Sequence, residues 1–282
     1  MSNVCSSHSE ELVRGQIHLM ESRNVAGLEY YLYLPTRGSS GAPVFVSVHG
    51  ISGNAREHAE GFEALAERHG FVLVAPIFSP PDFKDYQRLG RGTRGKRADL
   101  ALRALVREVF EMTGANSTGL YLFGYSGGGQ FVHRFVMAHP RDVIAYVVGA
   151  AGWYTFPQDD LKYPRGLQKN GELAGVTFDP AEFLRVRAAV MVGDRDVRQG
   201  RSLNKSQRIS LHQGTNRFER GQRWVEAMNV AAEQNQLDAR VEFHALPKCR
   251  HSFSRSMEKR NMGKYVIEWL FSELSPNIRK TT

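Results

Sequence analysis

The sequence predicts an α/β fold with a mostly parallel central sheet of about eight strands and helices on both faces. Three observations carry this expectation. Short apolar runs alternate along the chain with longer stretches of helical period. The inner runs, Val44–Val48 among them, are apolar at nearly every position, as in strands covered on both faces. The segment YLFGYSGGGQFV, 121–132, passes from strand-like to helical pattern across a Gly-x-Ser-x-Gly turn.

The elements follow in order. Stretches 16–21 and 29–34, joined through 24–27, read as an antiparallel strand pair. Val44–Val48 ends at HGISGN, 49–54, and a helix over Ala55–His69 stops at Gly70. The next buried strand is 71–77, followed by a long basic loop. A helix then starts near Asp99, a candidate N-cap, and runs through Leu102, Leu105, Val106 and Val109 to Gly114. Residues 121–123 lead into the Ser126 turn and 130–138 form the helix out of it, ended by Pro140. Val143–Gly149 is a strand, and an excursion rich in Pro and Gly fills about 150–184. Strand 188–192, a basic loop at about 195–217, helix 218–234, strand Val241–Leu246 and helix 262–274 complete the pattern. One domain over 16–275 is expected, with flexible tails at 1–15 and 276–282.

Composition narrows the function classes. The 282 residues are 41% hydrophobic and 23% charged, and no apolar stretch approaches the ~20 residues of a membrane span. The first residues are polar with no hydrophobic signal core, which gives a cytoplasmic expectation. Cys5 and Cys249 form neither a disulfide framework nor a metal spacing. Lys and Arg outnumber Asp and Glu by 37 to 29, a net charge of +8 concentrated at 84–97 and 195–223. No nucleic-acid motif accompanies these stretches, so they read as a solvated basic surface or as a positive rim for anionic substrates.

Ligands of parallel sheets bind beyond the carboxyl ends of the strands, and reactive residues cluster in four such places. Ser126 stands at the apex of the glycine turn, where Gly124 and Gly128 allow strand and helix to cross closely. A serine nucleophile needs a base, a carboxylate to orient that base, and donors for the oxyanion. After 188–192 come Asp194 and Asp196. After Val241–Leu246 comes His251, alone among ten histidines in a loop able to reach the serine. His244 falls inside a strand, His133 and His139 follow the serine helix, and His49 is expected to tie its own turn in place. Gly127 N–H follows from the turn geometry as an oxyanion donor, and the loop 49–51 faces it.

The order Ser126, Asp, His251, each in a loop after a strand, resembles the α/β-hydrolase superfamily over about 16–274. The separations, 70 residues from Ser126 to Asp196 and 55 from Asp196 to His251, fit it. HGISGN, GYSGGG and GDRD are similar to polyhydroxybutyrate depolymerase-like and feruloyl-esterase-like esterases. The resemblance implies the α/β-hydrolase fold, with Asp196 favoured over Asp194 through a Gly-x-x-Asp pattern. It also implies Ile51 N–H as the second oxyanion donor, with Ser52 as the alternative. The implied reaction is ester cleavage through an acyl-serine, without cofactor or metal. The partner is a small-molecule ester, for which the basic loop suggests a negative charge; neither nucleic acid nor membrane is a partner. Trp153 and Tyr154, with Phe156 and Tyr163, either wall a substrate pocket or pack the excursion onto the sheet. A peptidase or amidase with the same triad, and a noncatalytic binding protein on this scaffold, are the alternative readings.

Overall fold

Eight strands form one sheet in the order β1-β2-β4-β3-β5-β6-β7-β8. They are β1 (Ile17–Glu21), β2 (Glu29–Tyr33), β3 (Val44–Val48), β4 (Val72–Ile77), β5 (Leu120–Tyr125), β6 (Val143–Gly149), β7 (Arg187–Gly193) and β8 (Val241–Leu246). The computed structural model describes residues 12–90 and 95–272. The leading strands pair antiparallel, β1 with β2 and β2 with β4, and the others pair parallel. Every residue of β3 and β5 is buried, whereas the edge strand β8 exposes Glu242 and Ala245.

The helices are α1 (Ala55–His69), α2 (Ala98–Thr113), α3 (Gly127–Ala138), α4 (Pro180–Phe183), α5 (Gln207–Gln213), α6 (Arg217–Gln234), α7 (Phe253–Arg260) and α8 (Met262–Leu270). Right-handed crossovers distribute them. The step from β3 to β4 runs toward β1 and sets α1 on one face. All later steps run toward β8, which sets α2, α3 and α6 on the opposite face. After the last strand the chain returns, and α7 and α8 pack beside α1. Apolar side chains from both faces join one continuous core, with Phe45, Phe62, Phe123 and Trp224 among its fully buried members.

Several sequence expectations are refined. Strands β5 and β7 extend beyond the apolar runs, because ladder hydrogen bonding continues through Gly124 and Gly193. Asp99 is not an N-cap: Arg97 holds that position, and the buried Asp99 carboxylate in the first turn of α2 accepts from Arg97 Nε and Nη2 (2.7 and 2.6 Å) and bonds His139 Nε2 (2.8 Å). Helix α5 interrupts the basic loop, and α7 stands where a loop was expected before α8. Both have Ser N-caps, Ser206 and Ser252, whose hydroxyls accept backbone N–H groups. Of the expected tails, 1–11 and 276–282 lie outside the described residues. Residues 12–15 are tied to the sheet, with Gly15 N–H donating to Leu34 O (2.8 Å).

The register decides where the site forms. Val48 lies opposite Gly124, Tyr125 opposite Gly149, and Gly193 opposite Leu246. The strands therefore end nearly level, and the loops after β3, β5, β7 and β8 share one rim of the sheet.

Candidate active site

Ser126 joins β5 to α3 with φ 56° and ψ −108°, a conformation that a residue with a Cβ rarely adopts. It is held there from both sides. Ser126 N–H donates to Gly149 O (2.7 Å), and Ser126 O accepts the Gln130 N–H (3.1 Å) that starts α3. A Cβ at Gly124 would collide with the Gly128 carbonyl, and one at Gly128 with the Val48 carbonyl. The crossing of strand and helix is thus closed at backbone distance, and the serine side chain is forced outward over the rim.

His251 reaches this serine from the loop after β8. Its Nε2 lies 3.1 Å from Ser126 Oγ, and its Nδ1 lies 2.8 Å from Asp196 Oδ2. With Nδ1–H donating to the carboxylate, Nε2 is left as acceptor for the serine hydroxyl. The imidazole also stacks on Tyr125, with ring centroids 5.3 Å apart at 23°, so its plane is fixed by packing as well as by hydrogen bonds. Burial pushes the Tyr125 hydroxyl upward, keeping that neighbour neutral.

Of the two acids after β7, Asp196 faces the histidine and is buried, 3% exposed. Asp194 is exposed and accepts the backbone N–H of Cys249 (3.2 Å), which fastens the acid loop to the base loop. Arg195 N–H donates to Cys249 O (2.9 Å) in the same seam. Asp196 has a second neighbour that motif reasoning missed: Arg217 Nη1 stands 3.5 Å from its Oδ1, both side chains buried. By sequence Arg217 belongs to the basic stretch 195–223, and only the fold shows that it and Arg220 are buried, at 1% and 0% exposure.

The loop after β3 completes the rim. His49 Nδ1–H donates to Gly50 O (2.6 Å) and Nε2 accepts Phe78 N–H (3.0 Å), which ties the turn in place. Burial lowers the His49 pKa and keeps the ring neutral, as these bonds require. Tyr86, also unforeseen, donates its hydroxyl to His49 O (2.9 Å). A Cβ placed on Gly127 would lie 3.0 Å from Ile51 N and 2.7 Å from the Tyr86 hydroxyl, so the two loops meet directly beside Ser126. Gly127 is the first residue of α3, where the helix offers no partner for its N–H. Among the described residues the Ile51 N–H also has no hydrogen-bond partner.

A cavity of about 400 Å³ opens over Ser126 and His251, lined also by Ile51, Asn54, Glu57 and Ser202. Trp153 and Tyr154 do not line it. The guanidinium groups of Arg134 and Arg88 lie over the Trp153 ring, 4.4 and 5.3 Å from its centroid. Tyr154 is fully buried, stacked on Trp224 at 5.1 Å, and its main chain exchanges two 2.8 Å hydrogen bonds with Gln213. The structure gives both aromatics packing positions in place of the expected pocket wall. Phe156 and Tyr163 are buried likewise. Burying these rings frees the excursion from exposing a large apolar patch. Among the described residues no group of three His, Cys, Asp or Glu side chains is placed to hold a metal ion.

No family model matches the chain. Curated relatives include feruloyl esterase B of Thermothelomyces thermophilus, 26% identical over 123 residues, 42% of each chain. Feruloyl esterase B of Talaromyces funiculosus is 26% identical over 126 residues, 43% of this chain and 35% of that one. These matches span less than half the length of the relatives. Among solved structures, poly(aspartic acid) hydrolase-1 from Sphingomonas sp. KT-1 superposes with a TM-score of 0.79 at 22% identity, over 91% of this chain and 100% of that one. The poly(3-hydroxybutyrate) depolymerase LpqC from Bordetella parapertussis superposes with a TM-score of 0.71 at 24% identity, over 89% and 86%. Strand order, the serine turn and these superpositions over nearly the whole chain agree that this protein has the α/β-hydrolase fold.

Proposed function

We propose that the protein is a serine esterase in which Ser126, His251 and Asp196 form a catalytic triad. The observation that carries the reading is the continuous relay from Asp196 Oδ2 through His251 to Ser126 Oγ, with steps of 2.8 and 3.1 Å. In this reading His251 Nε2 takes the serine proton as Oγ attacks the ester carbonyl. Asp196 stabilises the imidazolium that results without accepting the proton. The oxyanion forms against the N–H groups of Gly127 and Ile51, reinforced by the positive end of α3. His251 then protonates the departing alcohol, leaving an acyl group on Ser126. Water then attacks the acyl carbon as His251 Nε2 takes its proton, and the imidazolium returns that proton to Ser126 Oγ as the acid leaves.

The name shared by the curated relatives supports an ester as the scissile bond. Charge around the cleft supports a substrate with a negative group. Arg195, Arg198 and Arg201 are exposed in the loop that carries the cavity-lining Ser202, and Lys248 and Arg250 are exposed in the loop of His251. Glu57 is the acid on the same cavity, and it is engaged by Asn54 and Ser254 (both 3.1 Å). A fluorophosphonate should label the protein and fail to label Ser126→Ala, and p-nitrophenyl esters should be turned over faster than matched anilides. Esters with a carboxylate should show lower KM than neutral ones, a gap that narrows as salt shortens the Debye length from about 30 Å at 0.01 M to 8 Å at 0.15 M. Equal KM values at all salt concentrations would remove the charge preference.

A further inference from the structure

Three arginines are buried on the α3 and α6 side of the sheet, and two of them spend their donors on neutral oxygens. Arg134 donates to Thr155 Oγ1 and to the carbonyls of Gln87 and Gln130. Arg220 donates to the carbonyls of Gly214, Gly152 and Asn204 at 2.6 to 2.9 Å. Both read as cross-links between loops. Arg217 differs. It opens α6, its Nη1 faces Asp196 Oδ1 at 3.5 Å, and its Nη2 donates to Ser202 Oγ at 2.8 Å. Its Nε is buried without a hydrogen-bond partner. Arg134 too has a buried donor, Nη2, without a partner, so what sets Arg217 apart is the carboxylate that its guanidinium faces.

The two oxygens of Asp196 are thus divided, Oδ2 to His251 and Oδ1 to Arg217. A carboxylate this buried loses its hydration, and a fixed cation beside it offsets part of that cost. The other groups around the pair offer no substitute. Arg220, on the same helix, is committed to three carbonyls. Tyr125 from β5 and Tyr154 from the excursion are buried with hydroxyls pushed upward, hence neutral. Asp194 is turned to the Cys249 amide, and Glu57 lies across the cavity.

We propose that Arg217 is a positioning residue of the site: it holds the Asp196 carboxylate aimed at His251, and through Ser202 it anchors the basic loop to the same carboxylate. The proposal rests on the triad reading above. Its consequence is electrostatic as well as geometric, because the one carboxylate charge is shared between Arg217 on Oδ1 and His251 on Oδ2.

The test is steady-state hydrolysis of p-nitrophenyl acetate from pH 5 to 9 by wild type, Arg217→Lys, Arg217→Gln, Asp196→Asn and the Asp196→Asn/Arg217→Gln double variant. Active sites are counted by fluorophosphonate titration, so a misfolded fraction does not enter kcat. Arg217→Gln should lower kcat roughly ten- to hundredfold, the scale on which displacement of a catalytic group acts. KM should stay within about twofold, and the acid side of the kcat/KM profile should move to higher pH. Arg217→Lys keeps the charge but not the fork, so kcat falls while the acid side stays near wild type; this variant carries the test if the glutamine protein does not fold. In the Asp196→Asn background the second change should cost little, since its target charge is gone. Wild-type kcat per active site with an unmoved profile in Arg217→Gln, or a fully additive loss in the double variant, would overturn the proposal while leaving the esterase reading intact. A wild type that neither hydrolyses the ester nor takes the label at Ser126 would overturn both.

Discussion

At the scale of single residues the site depends on a few atoms held where the chain resists them. Ser126 keeps a left-handed φ because bonds to Gly149 and Gln130 enclose it. Removing its hydroxyl in Ser126→Ala should abolish ester turnover and labelling with the fold unchanged by circular dichroism. Asp196→Asn should lower kcat by about 10⁴-fold, because an amide favours the wrong imidazole tautomer. Gly127 is the finer case. A methyl group there would press on the Tyr86 hydroxyl at 2.7 Å and on Ile51 Cγ2 at 2.8 Å, opening the gap between the two proposed oxyanion donors. Gly127→Ala should therefore lower kcat by up to about 10²–10³-fold, the effect of losing one donor. Adding Tyr86→Phe should restore part of the loss by giving the methyl room. An unaltered kcat in Gly127→Ala would show that Ile51 N–H does not serve the oxyanion.

At the scale of elements, the distinction between packing and binding decides what the 150–184 excursion does. Its aromatics lie against α3 and α6: Tyr154 against Trp224 and His133, and Trp153 over Arg134. Trp224 in turn donates its indole N–H to Thr155 O (2.8 Å), so α6 and the excursion hold one another. Tyr154→Ala would leave a void in this contact and should cost about 3–5 kcal/mol of unfolding free energy, by analogy with other buried aromatic truncations. KM of the remaining folded enzyme should be unchanged. A raised KM with normal stability would return Tyr154 to the substrate. The neighbouring 195–217 segment shows the same principle with charge: Arg195, Arg198 and Arg201 are exposed in the loop that brings Ser202 to the cavity, while Arg217, where the segment enters α6, turns inward to the acid.

At the scale of the whole molecule, buried histidines set how the fold answers to acid. His58 is fully buried, with Nδ1 2.8 Å from Ser47 Oγ and its ring stacked 3.8 Å from Phe253; His133 is fully buried between the Gly129 carbonyl and the Thr155 amide. Burial lowers both pKa values well below the ordinary 6.5, and lowers that of His49 as well. The native state therefore binds fewer protons than the unfolded chain below about pH 6.5. Stability is complete above that pH and falls beneath it, by about 1.4 kcal/mol per pH unit for each histidine that stays neutral. Urea midpoints should drop between pH 7 and pH 5, and a midpoint constant over that window would contradict the burial of these rings. The same histidine positions link layers of the structure. His58 carries α1 against the loop of His251, and His133 carries α3 against the excursion, so acid unfolding should reach the active-site rim and the core together.

Much of this architecture was legible in residue order, because strand and helix periods are local properties. Val44–Val48, Ala55–His69, Val143–Gly149 and Val241–Leu246 are bounded in the structure as their apolar patterns predict. The glycines around Ser126 likewise announce a crossing that only small residues permit. The ladder register, the inward turn of Arg217, the burial of Trp153 and Tyr154, and the meeting of Tyr86 with Gly127 were decided by tertiary structure. Each depends on how far apart two segments lie once the sheet is assembled, and no local pattern records that distance: an arginine on a solvated loop and one beside the buried Asp196 carboxylate are the same letter until the loops after β7 and β8 close over it.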